Sequence, residues 1–298
     1  MATILMPTMA AKRNDVETVL SVLEREVGKE HKIGLEIIGL ARHFQNPESI
    51  AEIVKNINEL AKGAYVSVHG FSGMAVYESG LADMRSEESG GKLLDIYLDI
   101  ANKTNAQYVH VHSGAGYKGI TNAPKNKSAD LQKIKNVMLA RANKTSIPVG
   151  IENLPAPSMG DMEKDPDQIW CDEVESIDDC LDVVKGTNMK VTFDTCHHAC
   201  GLNGQNIDVV EPAMNLGKHA GYFHLSDVDG NWVPYESIWT EGVVPGKGRI
   251  GEQNFMRFIK YIKSNHPDAK LCIEANNKDF SKLDESAESI KRVVNWLK

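Results

Sequence analysis

Glu152, Asp194, His224 and Glu274 each close a short β-favouring run: Gly150-Ile151-Glu152, Val191-Thr192-Phe193-Asp194, Gly221-Tyr222-Phe223-His224 and Leu271-Cys272-Ile273-Glu274. Side chains alternate along a strand, so Gly150 shares a face with Glu152, Thr192 with Asp194, Tyr222 with His224 and Cys272 with Glu274. Four consecutive strands would then aim an acid or an imidazole at one region. Burying such groups without partners costs several kcal/mol each, and a divalent cation offsets that cost directly. Three carboxylates and one imidazole suit Mn, Mg, Co or Zn, and the sequence does not choose among them. A buried polar network around a lysine is the competing expectation. His197 follows Asp194 by three residues, on the turn leaving its strand.

A second layer of histidines precedes these. His69 ends Val66-Ser67-Val68-His69, and His110 and His112 share one face of Val109-His110-Val111-His112. His110 reads as a deeper, hydrogen-bonded histidine. His69 and His112 sit nearer the strand tips, where a substrate contact or a second metal is the open choice. Glu36, inside Leu35-Glu36-Ile37, reads as an inward structural acid supporting the site.

The elements that would position these residues repeat. Runs at Ala2–Pro7, Lys32–Gly39, Ala64–Gly70, Gln107–Ser113, Pro148–Leu154, Met189–Thr195, Gly221–Asp227 and Lys270–Asn276 alternate with amphipathic stretches. The stretches are Val16–Val27, Pro47–Leu60, Gly91–Ala101, Leu131–Ala142, Ile177–Lys185, Gln253–Ser264 and Ala287–Leu297. Asn206–Leu216 is a weaker helix candidate because it contains Pro212. Strand and helix alternating eight times imply parallel strands joined by crossovers, and at this length a closed (β/α)8 TIM barrel in one domain, 1–298. No G-x-G-x-x-G follows the first strand, which removes the main support for an open dinucleotide-binding sheet. Long connections at Phe71–Ser89, Pro155–Glu175 and Val228–Glu252 follow the third, fifth and seventh strands, on the face that carries chemistry in such barrels.

The chain has 298 residues, 42% hydrophobic and 25% charged, with a formal net charge of −8. The acidity makes nucleic acid an unfavoured partner. No apolar run is long enough to span a bilayer, and Met1-Ala2-Thr3-Ile4-Leu5 reads as a strand rather than a signal peptide. Five cysteines without zinc-finger spacing fit a reducing cytoplasm. Trp170, Trp232 and Trp239 in the long loops suit either a sugar ring or a neighbouring subunit, so a homo-oligomer is one expectation.

Five motifs carry a family resemblance: Gly150-Ile151-Glu152-Asn153, Phe193-Asp194-Thr195-Cys196-His197, Phe223-His224-Leu225-Ser226-Asp227, Pro245-Gly246-Lys247-Gly248 and Ile273-Glu274. With them the chain resembles the xylose isomerase-like superfamily of TIM barrels, which includes ketose 3-epimerases and endonuclease IV. The resemblance implies a divalent-metal-dependent sugar isomerase or epimerase working through an enediolate. Glu152 and Glu274 would be acid and base, and Glu152, Asp194, His224 and Glu274 the metal ligands. His197, Asp227 and Lys247 would be substrate contacts. The epimerases usually carry an arginine six residues after the metal-binding histidine; this chain has Gly230 there, and Lys247 offers a replacement charge. The likeness to endonuclease IV implies an alternative, a zinc phosphodiesterase, with His69, His112 and Glu152 forming a first zinc site. Its third site needs an Asp-x-His after the seventh strand, and Glu236–Glu241 contains no histidine. A catalytically inactive sugar-binding barrel is the non-enzyme alternative.

Overall fold

The computed structural model describes residues 1–71, 82–114, 116–118, 125–156, 170–202, 204–230, 241–279 and 281–298. Eight strands close into one parallel barrel in chain order. They are β1 (Thr3–Thr8), β2 (Lys32–Leu40), β3 (Tyr65–Phe71), β4 (Tyr108–Val111), β5 (Val149–Glu152), β6 (Lys190–Asp194), β7 (Ala220–Leu225) and β8 (Lys270–Ile273). β1 closes the ring against both β2 and β8. The helices are α1 (Arg13–Val27), α2 (Ala41–Phe44), α3 (Pro47–Leu60), α4 (Lys92–Thr104), α5 (Lys127–Ala142), α6 (Ile177–Val184), α7 (Thr195–Cys200), α8 (Val210–Leu216), α9 (Glu252–Asn265) and α10 (Asp284–Leu297). The expected (β/α)8 barrel is what forms.

Alternation along each strand divides the structure into two cores. Outward residues such as Ile4, Leu35, Ile37, Val68, Val109, Ile151, Phe193, Leu225 and Ile273 are buried under the apolar stripes of the helices. On α1 that stripe is Val16, Val19, Leu23 and Val27. Each aliphatic side chain so buried contributes about 1.5–3 kcal/mol. Inside the ring, Leu5, Tyr108, Tyr222 and Cys272 pack with Tyr65 as a small lower core. Tyr108 and Tyr222 stack, and each reaches a hydroxyl on a strand it does not pair with, Thr192 and Ser67 respectively. Gly150 makes room for this layer, because a Cβ there would run into the Tyr108 hydroxyl. Above that floor the interior turns ionisable.

Local signals explain most element starts. Asn46 caps α3 through Glu48 and Ser49 N–H with Pro47 at its first position, and Ser176 forms a capping box with Asp179 at the start of α6. The doubtful Asn206–Leu216 segment does form a helix, α8. Pro212 lies in its first turn, where the missing N–H would have had no intrahelical partner. Three pieces went unanticipated: α2, α7 directly after β6, and an antiparallel ribbon of Gly116–Lys118 with Trp170–Asp172. Trp170 thus enters a strand, whereas Trp232 and Trp239 lie outside the described residues. Among the described residues no helix is long and apolar enough to cross a membrane.

Candidate metal centre

Glu152 ends β5, Asp194 ends β6, His224 lies one residue before the end of β7, and Glu274 immediately follows β8. Pairing in register brings Asp194 opposite His224 and Cys272 opposite His224, so the three strand tips stand side by side. Two small tethers hold them there. The Asn153 side chain accepts from Asp194 N–H at 2.9 Å and donates to Asp194 O at 3.1 Å, joining β5 to β6. Thr195 Oγ1 reaches Ser226 O at 2.8 Å and His224 O at 3.2 Å, joining β6 to β7.

The centre of the arrangement is His224 Nδ1. Glu152 Oε1 lies 3.1 Å from it, Glu274 Oε2 3.3 Å and Asp194 Oδ2 3.6 Å. His224 and Glu152 are fully buried and Asp194 almost so, while the Glu274 side chain keeps 23% of its surface exposed. Glu274 is the member that faces the barrel mouth. Asp194 divides its carboxylate: Oδ1 accepts His197 N–H at 2.7 Å and caps α7, leaving Oδ2 for the cluster. His197 itself lies on this short helix, with Nδ1 donating to Asn153 O at 3.0 Å and standing 3.2 Å from Glu152 Oε1.

The second histidine layer joins the same cluster. His69 Nε2 and His112 Nε2 stand 3.1 and 3.6 Å from Glu152 Oε2. His69 and His110 stack with centroids 4.3 Å apart, and His110 sits deeper, on Glu36. Burial works to raise the Glu152 carboxyl, but His224, His69 and His112 outweigh it and hold the group well below the usual carboxylate range. At Glu274 burial wins over His224 and the carboxyl is raised. Burial lowers His112 to about 4, so its imidazole is neutral at neutral pH and able to act as a ligand.

The donor set fits a divalent cation. Glu152, Asp194 and His224 offer ligand atoms within 4.8 Å of one another, as do His69, His112 and Glu152. Glu152 Oε2 is buried, and among the described residues it has only imidazoles beside it and no well-aligned hydrogen-bond donor, which suits an oxygen open to an ion. Carboxylates with imidazole are ordinary ligands of Mn, Zn, Co and Mg.

Two expected contacts stand apart from this cluster. Asp227 is fully buried. Its oxygens accept N–H from Val228 and Ile250 at one side and from Gly246, Gly248 and Gly251 at the other, over 2.8–3.3 Å. It is the anchor of the Pro-Gly-Lys-Gly turn, and Gly248 lies so close that a Cβ would meet the Asp227 carboxylate at 2.7 Å. Lys247 points its ammonium at Glu288 of α10, 2.6 Å away on the exposed rim. Two acids carry more of the site than the sequence suggested. Glu36 touches three histidines, and Glu241 places an oxygen 3.9 Å from Cys200 Sγ beside His197.

Comparisons with known proteins fit this architecture. The family model described as xylose isomerase-like TIM barrel matches residues 27–298. Among solved structures, a D-tagatose 3-epimerase-like protein superposes with a TM-score of 0.61 at 20% identity, covering 98% of each chain. Endonuclease IV from Thermus thermophilus gives 0.58 at 15% identity over 99% of this chain and 98% of its own. A D-psicose 3-epimerase determined in the presence of D-fructose gives 0.57 at 16% over 99% and 96%. At these identities the likeness is one of fold. No curated protein matches the sequence.

Proposed function

Because the chain belongs to the xylose isomerase-like TIM-barrel family, we propose that it is a divalent-metal-dependent isomerase or epimerase of a small ketose, aldose or related sugar. The observation that carries this reading is the convergence of three carboxylates, from β5, β6 and β8, within 3.6 Å of His224 Nδ1. A divalent ion held by Glu152, Asp194, His224 and Glu274 supplies positive charge next to developing oxyanions.

The protein's own groups do the rest. Glu152 and Glu274 differ in environment, one held low and one raised. Glu152 takes the proton from the carbon next to the substrate carbonyl, and the electron pair moves onto oxygen as an enediolate. Glu274 returns a proton. Delivery to the opposite face of the same carbon inverts it; delivery to the neighbouring carbon isomerises the sugar. His197, 10% exposed at the edge of the cluster, holds a substrate oxygen.

The test is a panel of ketoses and aldoses with Mn, Co, Mg or Zn in deuterated water. Deuterium entering carbon next to the carbonyl, lost in chelated protein, is expected. A second reading rests on a separate observation: His69 and His112 both aim Nε2 at Glu152 Oε2, a second ligand trio. It favours an endonuclease IV-like zinc phosphodiesterase. Cleavage of abasic DNA without any sugar turnover would move the assignment there. Binding of sugars with neither activity would leave an inactive binding barrel.

A further inference from the structure

The strand starts, at the end of the barrel opposite the metal centre, gather lysines. Lys32, Lys190 and Lys270 are the first residues of β2, β6 and β8, and Lys62 lies just before β3. Thr3 of β1 pairs with both Lys32 and Lys270, so these two flank one strand, about 9–10 Å apart at their Cα atoms. Tyr65, the first residue of β3, stands beside them, with Lys270 Nζ 5.6 Å from its ring centroid.

Lysines elsewhere are paired, as Lys92 is with Glu88, Lys103 with Asp99 and Lys247 with Glu288. Lys190 and Lys270 reach only backbone carbonyls, those of Lys218 and Asp268. Among the described residues Lys32 and Lys62 form no ion pair. The carboxylate of Asp268 is nearby, but its side chain is 86% exposed and takes the terminal amine at 3.8 Å. Burial, with Lys32 adding to it, holds the Lys270 ammonium below its usual range. Like charges held together without a counter-charge repel, and a bound anion relieves the repulsion.

A cavity of about 500 Å³ opens between these strand starts and the C-terminal ends of α3 and α4. Lys32, Lys62, Tyr65, Asn58 and Gln107 line it, and no Asp or Glu does, in a chain whose acids outnumber its bases 41 to 33. The carbonyls of the two helix ends are engaged. Ala61 O accepts from Ala64 N–H, Lys103 O from Asn58 Nδ2 and Asn105 O from Gln107 Nε2. A cation there meets two ammonium groups and occupied acceptors, whereas an anion meets charged donors. The volume falls in the range of small-molecule sites.

We propose that this cavity binds an oligophosphate, as the inorganic ion or carried on a small molecule, held by Lys32 and Lys62 with Lys270 adding charge across Tyr65. Lysine is a common phosphate binder, acting as a point charge. The site does not depend on the metal-centred reaction at the other end of the barrel.

The experiment is calorimetry at fixed ionic strength. Inorganic pyrophosphate and, separately, a nucleoside diphosphate are titrated into wild type, Lys32→Gln, Lys62→Gln, Lys270→Gln and Lys92→Gln. Anomalous diffraction from crystals soaked in tungstate, a tetrahedral dianion like phosphate, locates the anion. Kd is expected to rise by about tenfold on losing Lys32 or Lys62 and by about threefold on losing Lys270. Lys92→Gln, at the far end of α4, should stay within about twofold of wild type, and added KCl should weaken binding. Tighter binding of the nucleoside diphosphate identifies the carried form; equal or weaker binding identifies the inorganic ion. A tungstate peak is expected between Lys32 and Lys62. Lys32 and Lys62 are exposed, so a melting curve should show both variants folded. No binding of either ligand, an unchanged Kd in both Lys32→Gln and Lys62→Gln, or tungstate only at the metal centre would overturn the proposal.

Discussion

Glu274→Gln separates chemistry from architecture better than any other change at the site. Glu274 is the ligand candidate at the mouth, with its side chain 23% exposed. Its contacts are His224 Nδ1 at 3.3 Å and His69 Nδ1 at 3.9 Å. Burial raises its carboxyl, so a neutral amide of the same shape resembles the protonated acid. The fold should therefore lose about 1 kcal/mol or less, a melting shift of roughly 2–4 °C or below. Turnover should fall far more, by about 10²–10⁴-fold for a lost acid–base group, which is roughly 3–5 kcal/mol of barrier. Turnover of the responding sugar and deuterium entry at the substrate carbon are measured together. Glu152 remains able to take the proton, so exchange should outlast net conversion. A folded Glu274→Gln protein turning over within tenfold of wild type would refute the assignment of Glu274 as a proton carrier.

Three other changes probe the scaffold. Asp227→Asn replaces an acceptor oxygen of the five-bond anchor with a donor facing backbone N–H. Urea denaturation should show a loss of about 2–4 kcal/mol, with faster hydrogen exchange at Gly246, Gly248 and Gly251; an unchanged midpoint would remove the anchoring role. Gly150→Ala drives a methyl into the Tyr108 hydroxyl and should cost about 1–3 kcal/mol by overpacking, checked by the same denaturation. Asp172, buried and accepting from Ser113 Oγ and Val174 N–H, is pushed up by burial to about 7. A carboxyl raised on folding makes the folded state bind more protons between its unfolded value and about 7. Its contribution is therefore most favourable below about pH 4 and is lost as pH rises to about 7, by on the order of 2–4 kcal/mol. Asp172→Asn should flatten that part of the stability–pH curve; an identical slope in the variant would exclude Asp172 as its source.

The eight strands were readable because each is a short run of β-favouring residues between helical stripes, and because period-two alternation is unambiguous where one face meets helices. That same alternation put Glu152, Asp194, His224 and Glu274 on the inner face, and the structure draws them to one nitrogen. Alternation gives the face of a residue but not its depth. Glu36 and His224 are 188 residues apart in the chain, yet the closed ring sets them 3.1 Å from each other, so the acid's place beneath three histidines follows from closure and not from its own strand. Asp227 and Lys247 illustrate a second limit. Asp227 follows β7 and anchors the turn that carries Lys247, but five backbone N–H groups claim the one and Glu288 the other, and such partners become visible only when the turn folds. Likewise α7 is too short to show a helical stripe; Asp194 creates it by capping with the oxygen that faces away from the cluster.

Anomalous diffraction at the manganese edge, from crystals equilibrated with Mn, addresses the central claim most directly. The account requires a peak in contact with Glu152, Asp194, His224 and Glu274. A map with manganese elsewhere, or with none at these four side chains, would contradict it.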